Sequence, residues 1–245
     1  MHVALITGLE TMTNQFLDHL SQADRRYLEP YLKTVDVTKR TVLFEVGQRV
    51  DRVYFPISAV ISLLVTLSSG TAVEFGTVGF DGIVGAAAAM DDGVPLSRAI
   101  VQLPGTVIEC DAQLFKAAVL ESPRMLNLIF RHERGISMQA QQGVACHAGH
   151  TVQARLCRWL LRARDLTDSN KLVVTQADLA QTLGVRRTSI TEAAQELQQS
   201  GIIRYSRGNL AILNAAALRG RCCECYRVVA NHYQRLTDPR SRRMN

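Results

Sequence analysis

The chain has 245 residues, 47% of them hydrophobic and 20% charged, which is ordinary for a soluble globular protein and enough to bury a core in one large or two modest domains. No apolar run reaches the roughly 18 residues a spanning helix needs. The longest runs, residues 57 to 67 and 82 to 90, are interrupted, and the N-terminus lacks a basic stretch followed by an apolar core, so the expectation is a cytoplasmic protein with no membrane partner. Charge is uneven: residues 1 to 150 carry 12 Lys+Arg against 15 Asp+Glu, residues 151 to 245 carry 16 against 7, and Lys171 is the single lysine beyond position 150. An arginine-rich C-terminal third suggests a polyanion that guanidinium groups can grip bidentately. A solvated basic surface is the plain alternative.

In chain order, residues 21 to 32 predict a short helix with Ser21 and Asp24 as a capping box. Six β segments follow, at 35–44, 52–55, 60–67, 73–77, 99–103 and 106–110. Turn signals separate them, including Val46-Gly47-Gln48, Asp91-Asp92-Gly93 and Leu103-Pro104-Gly105. This spacing implies a small β-barrel or roll.

Ser122-Pro123 opens a helix with no strong breaker for about 25 residues, a rod of about 37 Å. Met125, Ile129, His132, Ile136, Gln139, Gly143 and Cys146 recur along it at alternating 4,3 spacing, the seam of a two-stranded coiled coil. A parallel self-pairing helix is the simplest use, with Leu126 and Phe130 turned elsewhere, against the β domain. A helix merely packed into the core is the alternative. The next helix, residues 151 to 164, puts Val152, Leu156, Trp159, Leu160 and Ala163 on one face and Arg155, Arg158, Arg162 and Arg164 on the other. Residues 171 to 174 predict a short strand.

Thr175-Gln176-Ala177-Asp178 is a capping box that opens a helix reaching Leu183, and Gly184 permits the left-handed turn that ends it. A second helix runs from about Arg186 to Ser200 and stops at Gly201. Ala180 is the small residue where the two cross, and Leu179, Leu183, Val185, Ile190 and Ala193 form their shared core. The pattern is that of a helix-turn-helix; an αα-hairpin with no nucleic-acid role is the alternative. The exposed face of the second helix offers Arg186, Arg187, Thr188, Thr191, Glu192 and Gln195, groups able to reach phosphates or base edges. Residues 202 to 213 read as a two-stranded wing with Gly208-Asn209 at or near its tip. Arg204 and Arg207 on it would add affinity without sequence choice. Asn214 can cap a final helix in which Tyr226, Val229 and Tyr233 pack.

The six cysteines form no secreted disulfide framework. Cys222-Cys223-Glu224-Cys225 could supply soft metal ligands, but no second Cys/His pair sits at zinc-site spacing, and Cys146 and His147 are far off in sequence. No metal is therefore assigned; packing on a helix face and a metal or redox role both stay open.

These motifs resemble the Crp/Fnr transcription regulators over nearly the whole chain. Val42 to Gln48 followed by Val53-Tyr54-Phe55 resembles the family's early β-roll, the long helix its dimerisation helix, and residues 175 to 213 its DNA-binding domain. The resemblance implies Arg187 as the principal base-reading arginine, Thr188 and Glu192 as further base-contact positions, Gln195 as a backbone contact, and Thr175 and Ser189 as phosphate contacts. Glu192 stands where the family's cyclic AMP receptor has Arg, so the target bases would differ. Gly85 to Gly93 resembles the phosphate-binding cassette and Arg98 its phosphate-pairing arginine. Yet Ala86 replaces the ribose-binding glutamate, two extra residues precede Arg98, and Ala140 and Gln141 replace the Thr-Ser pair that meets the base. Cyclic AMP is thus disfavoured as effector, the cofactor stays unknown, and no N-terminal iron-sulfur cysteine cluster is present.

The reading is an α+β homodimer: β-roll sensor at 15–121, dimerisation helix at 122–148, winged helix-turn-helix at 149–245. It would bind a near-palindromic double-stranded DNA site under an unidentified ligand or redox signal, with RNA polymerase as a partner if it activates. The rival is a cyclic-nucleotide-type signalling module whose basic domain contacts protein. No acid/base pair or nucleophile constellation points to an enzyme.

Overall fold

The computed structural model describes residues 13–237. Two short helices come first, α1 (Gln15–Asp18) and α2 (Gln22–Leu28), the second closed by a 3-10 turn at Glu29–Tyr31. Asn14 caps α1 and also donates to the carbonyls of Pro56 and Gly82 at 2.8 Å each, tying the entry segment to the roll. Ser21 and Asp24 make the expected capping box on α2.

The roll consists of β1 (Lys33–Val37), β2 (Val42–Phe44), β3 (Arg52–Pro56), β4 (Val60–Thr66), β5 (Ala72–Val78), helix α3 (Ala86–Met90), β6 (Arg98–Leu103) and β7 (Gly105–Asp111). Its strands form two antiparallel sheets, ordered β1-β7-β3 and β2-β6-β4-β5. The continuous segment expected at 35–44 is two strands, because the chain turns at Thr38–Arg40, where Arg40 has φ +68°, and crosses from one sheet to the other. Helix α4 (Ala112–Leu120), capped by Asp111, was not anticipated; it carries Phe115 onto Phe55, with ring centroids 6.0 Å apart.

Ser122 accepts from the Met125 amide to open α5 (Pro123–Gly149), as its Ser-Pro start requires. The orientation of this helix differs from expectation. Met125, Ile129, His132, Ile136, Gln139 and Cys146, read as a seam awaiting a partner, are buried against the chain's own roll and C-terminal helix. Polar Gln139 belongs there because it exchanges two hydrogen bonds with the Thr77 backbone, at 3.0 and 3.1 Å, and donates to Tyr233 at 2.7 Å. Phe130, expected against the β domain, points outward at 60% exposure. A 4,3 repeat identifies a buried stripe but not what covers it, and here the roll and the C-terminal helix cover it.

The C-terminal part comprises α6 (Val152–Thr167), β8 (Lys171–Val173), α7 (Gln176–Leu183), α8 (Arg187–Gln199), β9 (Ile203–Ser206), β10 (Asn209–Ile212), α9 (Ala215–Gly220) and α10 (Cys225–Thr237). Its sheet is ordered β8-β10-β9. Leu156, Leu160, Leu179, Leu183, Ile190 and Leu197 fill its core, and Val60 and Leu103 of the roll join it, so the two parts share apolar surface. Full burial of such a side chain contributes roughly 1.5–3 kcal/mol. The final helix expected after Asn214 is two: Asn214 caps α9, and a cysteine-bearing loop separates it from α10, where Val229 and Tyr233 pack inward.

Polar clamps hold the C-terminal part to the roll. Asp178 of α7 takes Lys39 at 2.6 Å and Arg40 at 2.9 Å from the β1–β2 turn, while buried Gln102 donates to Thr182 at 3.1 Å. The capping bonds from Thr175 and these two cations hold the Asp178 carboxyl well below the usual carboxylate range despite its burial. Arg162 of α6 meets Asp81 at 2.8 Å and lies 4.7 Å from the centre of the Tyr233 ring.

Candidate nucleic-acid interface and effector cavity

The helix-turn-helix is built by its own caps. Thr175 and Asp178 close the capping box on α7, and Gly184 ends that helix at φ +59°, a conformation glycine adopts without penalty. Arg186 is the N-cap of α8, and Gly201, at φ +67°, follows its end. Ile190, Ala193, Ala194 and Leu197 face the core, so the opposite side of α8 presents Arg187, Thr188, Glu192 and Gln195 to solvent, with Arg186 exposed beside them. Ser189 is half-buried. Thr191 turns aside: its hydroxyl donates to Gln176 at 2.8 Å, fastening α8 to the start of α7.

The wing is β9 and β10 joined by Arg207-Gly208, with φ of +47° and +83°, as a tight type I′ hairpin demands. The tip is therefore one residue earlier than Gly208-Asn209. Arg204 and Arg207 are exposed on it. Tyr205 sets the wing against the motif, its amide donating to Gln198 at 2.8 Å and its hydroxyl to the Val174 carbonyl at 2.9 Å.

Not all of the basic excess faces solvent. None of Arg155, Arg158, Arg162 and Arg164 on α6 is exposed; Arg155 donates to the Leu183 carbonyl, Arg162 pairs with Asp81, and Arg164 donates to Asn170 at 2.7 Å. Arg162 thus joins the C-terminal part to the roll, whereas Arg155 and Arg164 brace the C-terminal part internally. Composition counted them with the polyanion-facing charge because burial is invisible in it.

A cavity of about 420 Å³ lies between the roll, α3 and α5. Apolar side chains such as Phe44, Leu63, Phe75 and Ile136 line it, together with Asp91, His132 and Glu133. Burial pushes the Glu133 carboxyl up to about 7 and the His132 imidazole down to about 4. Of the five residues suggested for an effector pocket, Gly85 lines this cavity as the left-handed N-cap of α3. Ala86 turns into the core, Arg98 is held by Glu45 at 3.0 Å, and Ala140 and Gln141 lie further along α5, outside the lining. Among the described residues, no Lys or Arg that could meet a phosphate lines the cavity.

A second constellation escaped the sequence reading. Cys146 and His150 at the end of α5 and Cys223 and Cys225 beside α10 place their ligand atoms within 4.8 Å of one another. His150, not His147, is the histidine involved. Helix spacing i,i+4 was the signal for the first pair, but only the return of α10 along α5 brings the second pair to it.

The architecture is thus a β-roll, a long helix and a winged helix-turn-helix domain with an exposed polar face on its second helix. Residues 154–221 match the Crp-like helix-turn-helix domain, and the chain as a whole has the Crp/Fnr regulator fold. It is similar to a putative Crp/Fnr transcriptional regulator of Eubacterium rectale, at 16% identity over 83% of this chain and 95% of that one, TM-score 0.65. FixK2 of Bradyrhizobium japonicum aligns at 14% identity over 78% and 98%, TM-score 0.66. The c-di-GMP responsive global regulator CLP of Xanthomonas campestris aligns at 15% over 78% and 99%, TM-score 0.64. No curated protein sequence matches the chain. Among the described residues no helix is long and apolar enough to cross a membrane.

Proposed function

We propose that the chain is a sequence-specific, homodimeric DNA-binding regulator, with residues 15–121 as sensor, 122–148 as dimer helix and 149–245 as reading domain. The observation that carries this is the exposed row Arg187, Thr188, Glu192 and Gln195 on α8, set beside a wing that exposes Arg204 and Arg207. Arg187 is assigned to base reading, with Thr188 and Glu192 as further base contacts and Gln195 a backbone contact. Thr175, Arg186 and Ser189 are assigned to phosphates near the motif and Arg204 and Arg207 to flanking phosphates, while Thr191, whose hydroxyl is engaged by Gln176, positions α8 rather than meeting DNA. A salt-sensitive electrophoretic shift with selected random duplexes tests the reading; a chain that shifts no duplex would instead favour a protein-contacting module.

The dimer face is assigned to the outward side of α5. Phe130 and Val144, 60% and 74% exposed, stand two heptads apart with Ser137 between them, and a partner helix would cover that line. Phe130→Asp with Val144→Asp is expected to convert the dimer to folded monomer in sedimentation, since each charge would enter the covered face at a cost of several kcal/mol. Ile129→Asp with Ile136→Asp should unfold the chain instead. A dimer that survives the outward pair of substitutions would rule this face out.

The effector is proposed to occupy the cavity beneath α3 and to be other than cyclic AMP. With Arg98 held by Glu45 and acidic Asp91 and Glu133 in the lining, a cyclic phosphate would meet no cation. Calorimetric titration with cyclic AMP at micromolar concentrations is expected to show no binding heat. Binding abolished by Arg98→Ala would overturn this assignment.

A further inference from the structure

We infer that Cys146, His150, Cys223 and Cys225 form a mononuclear Cys3His site for a thiophilic divalent ion of the zinc class, joining the end of the long helix to the DNA-reading part. Cys146 occupies the last turn of α5 and His150 is its C-cap, with the His150 amide donating to the Cys146 carbonyl at 3.1 Å, so the two side chains leave the same side of the helix. Cys223 lies in the loop that ends α9, and Cys225 opens α10, alternate residues that a bent loop can aim at one point.

The separations select the kind of centre. The Cys146 and Cys223 sulfurs are 3.6 Å apart, and Cys225 Sγ is 3.6 Å from His150 Nδ1. A tetrahedral ion with Zn–S of about 2.3 Å and Zn–N of about 2.0–2.1 Å holds its ligands at edges of roughly 3.5–3.8 Å. A disulfide needs sulfurs about 2.05 Å apart, so the two thiols are not bonded. A multi-iron cluster draws its cysteines onto different irons and spreads their sulfurs across the cluster, wider than the 4.8 Å that encloses all four ligand atoms here.

The surroundings suit a metal as well. His150 presents Nδ1 to the thiols while Nε2 meets Glu224 Oε2 at 3.2 Å, the carboxylate–imidazole arrangement that fixes ring and tautomer for a metal-binding histidine. Gln142 donates to Cys225 Sγ at 3.1 Å from one turn earlier on α5, a bond that thiolate sulfur accepts well. Arg155 and Arg158 stand near the group, each with a buried Nε that has no hydrogen-bond partner, and their charge offsets that of three thiolates around a dication. Arg155 also donates to the Leu183 carbonyl at the end of the first motif helix, so the site is one side chain away from the reading head.

Metal analysis of the purified full chain after desalting tests this. About one zinc per subunit is expected, lost in Cys223→Ser and in His150→Ala and kept in Cys222→Ser and Cys110→Ser, whose sulfurs stand outside the group. Should the first two variants fail to fold, wild-type chain stripped by a mercurial reagent and titrated with Co(II) alone is expected to show the visible bands of tetrahedral cobalt with thiolate-to-metal charge transfer, quenched by equimolar Zn(II). Wild-type chain that carries no zinc and gives only the pale spectrum of hydrated Co(II) would overturn the site. So would a Cys146–Cys223 disulfide found in the native chain by non-reducing peptide mapping. None of these readouts depends on DNA binding.

Discussion

Arg162→Ala is expected to destabilise the chain by about 3–5 kcal/mol, read as a lower urea midpoint. Arg162 and Asp81 pair at 2.8 Å with little exposure on either side, and the guanidinium also donates to the Thr77 carbonyl at 3.3 Å and covers the Tyr233 ring. Truncation strips the buried Asp81 carboxylate of the guanidinium that pairs with it, and that loss of compensation, more than the lost attraction, sets the size of the effect. Arg162→Leu combined with Asp81→Asn should therefore lose less than Arg162→Ala alone, because no charge is stranded. A double variant as unstable as the single one would mean that packing on Tyr233 dominates. Because Asp81 belongs to the roll and Arg162 to α6, the same pair ties the roll to the C-terminal part.

The parts legible in the sequence are those governed by local chemistry. The capping boxes at Ser21 and Thr175, the Ser122-Pro123 start and the stops at Gly184 and Gly201 depend on a few neighbouring residues, and each stands where its residue types require. The strands of the roll followed from turn signals for the same reason. What the sequence could not convey was which surface meets which. The stripe from Met125 to Cys146 was visible, but a sheet and a partner helix call for the same apolar spacing, and only the position of the roll decides between them. The arginines of α6 were counted as surface charge although Asp81, more than 80 residues earlier in the chain, buries one of them. The Cys3His group was passed over for a related reason: its two halves meet because α10 packs on α5, a contact between segments more than 70 residues apart.

Arg187→Ala is expected to lower affinity for a selected duplex by about 1–3 kcal/mol per half-site while changing affinity for scrambled DNA little, with base preference relaxed at one symmetric position. Arg187 opens α8 on its exposed side, where a guanidinium can reach guanine O6 and N7 in the major groove. The wing supplies the contrast. Arg207 has φ +47°, so alanine there would add backbone strain to the loss of charge, and asparagine, which tolerates that conformation, is the cleaner substitution. Arg207→Asn should weaken selected and scrambled duplexes by similar factors and reduce the salt slope by about 0.9 per subunit, as loss of one phosphate contact requires. Titrations of wild type and both variants on both duplexes at several salt concentrations separate the two roles. If Arg187→Ala lowered both affinities equally and left every base preference intact, reading would pass to Thr188 or Glu192, the exposed neighbours on the same face. The glutamate would then require cytosine N4 as its donor, and Glu192→Gln would relax the preference at that base.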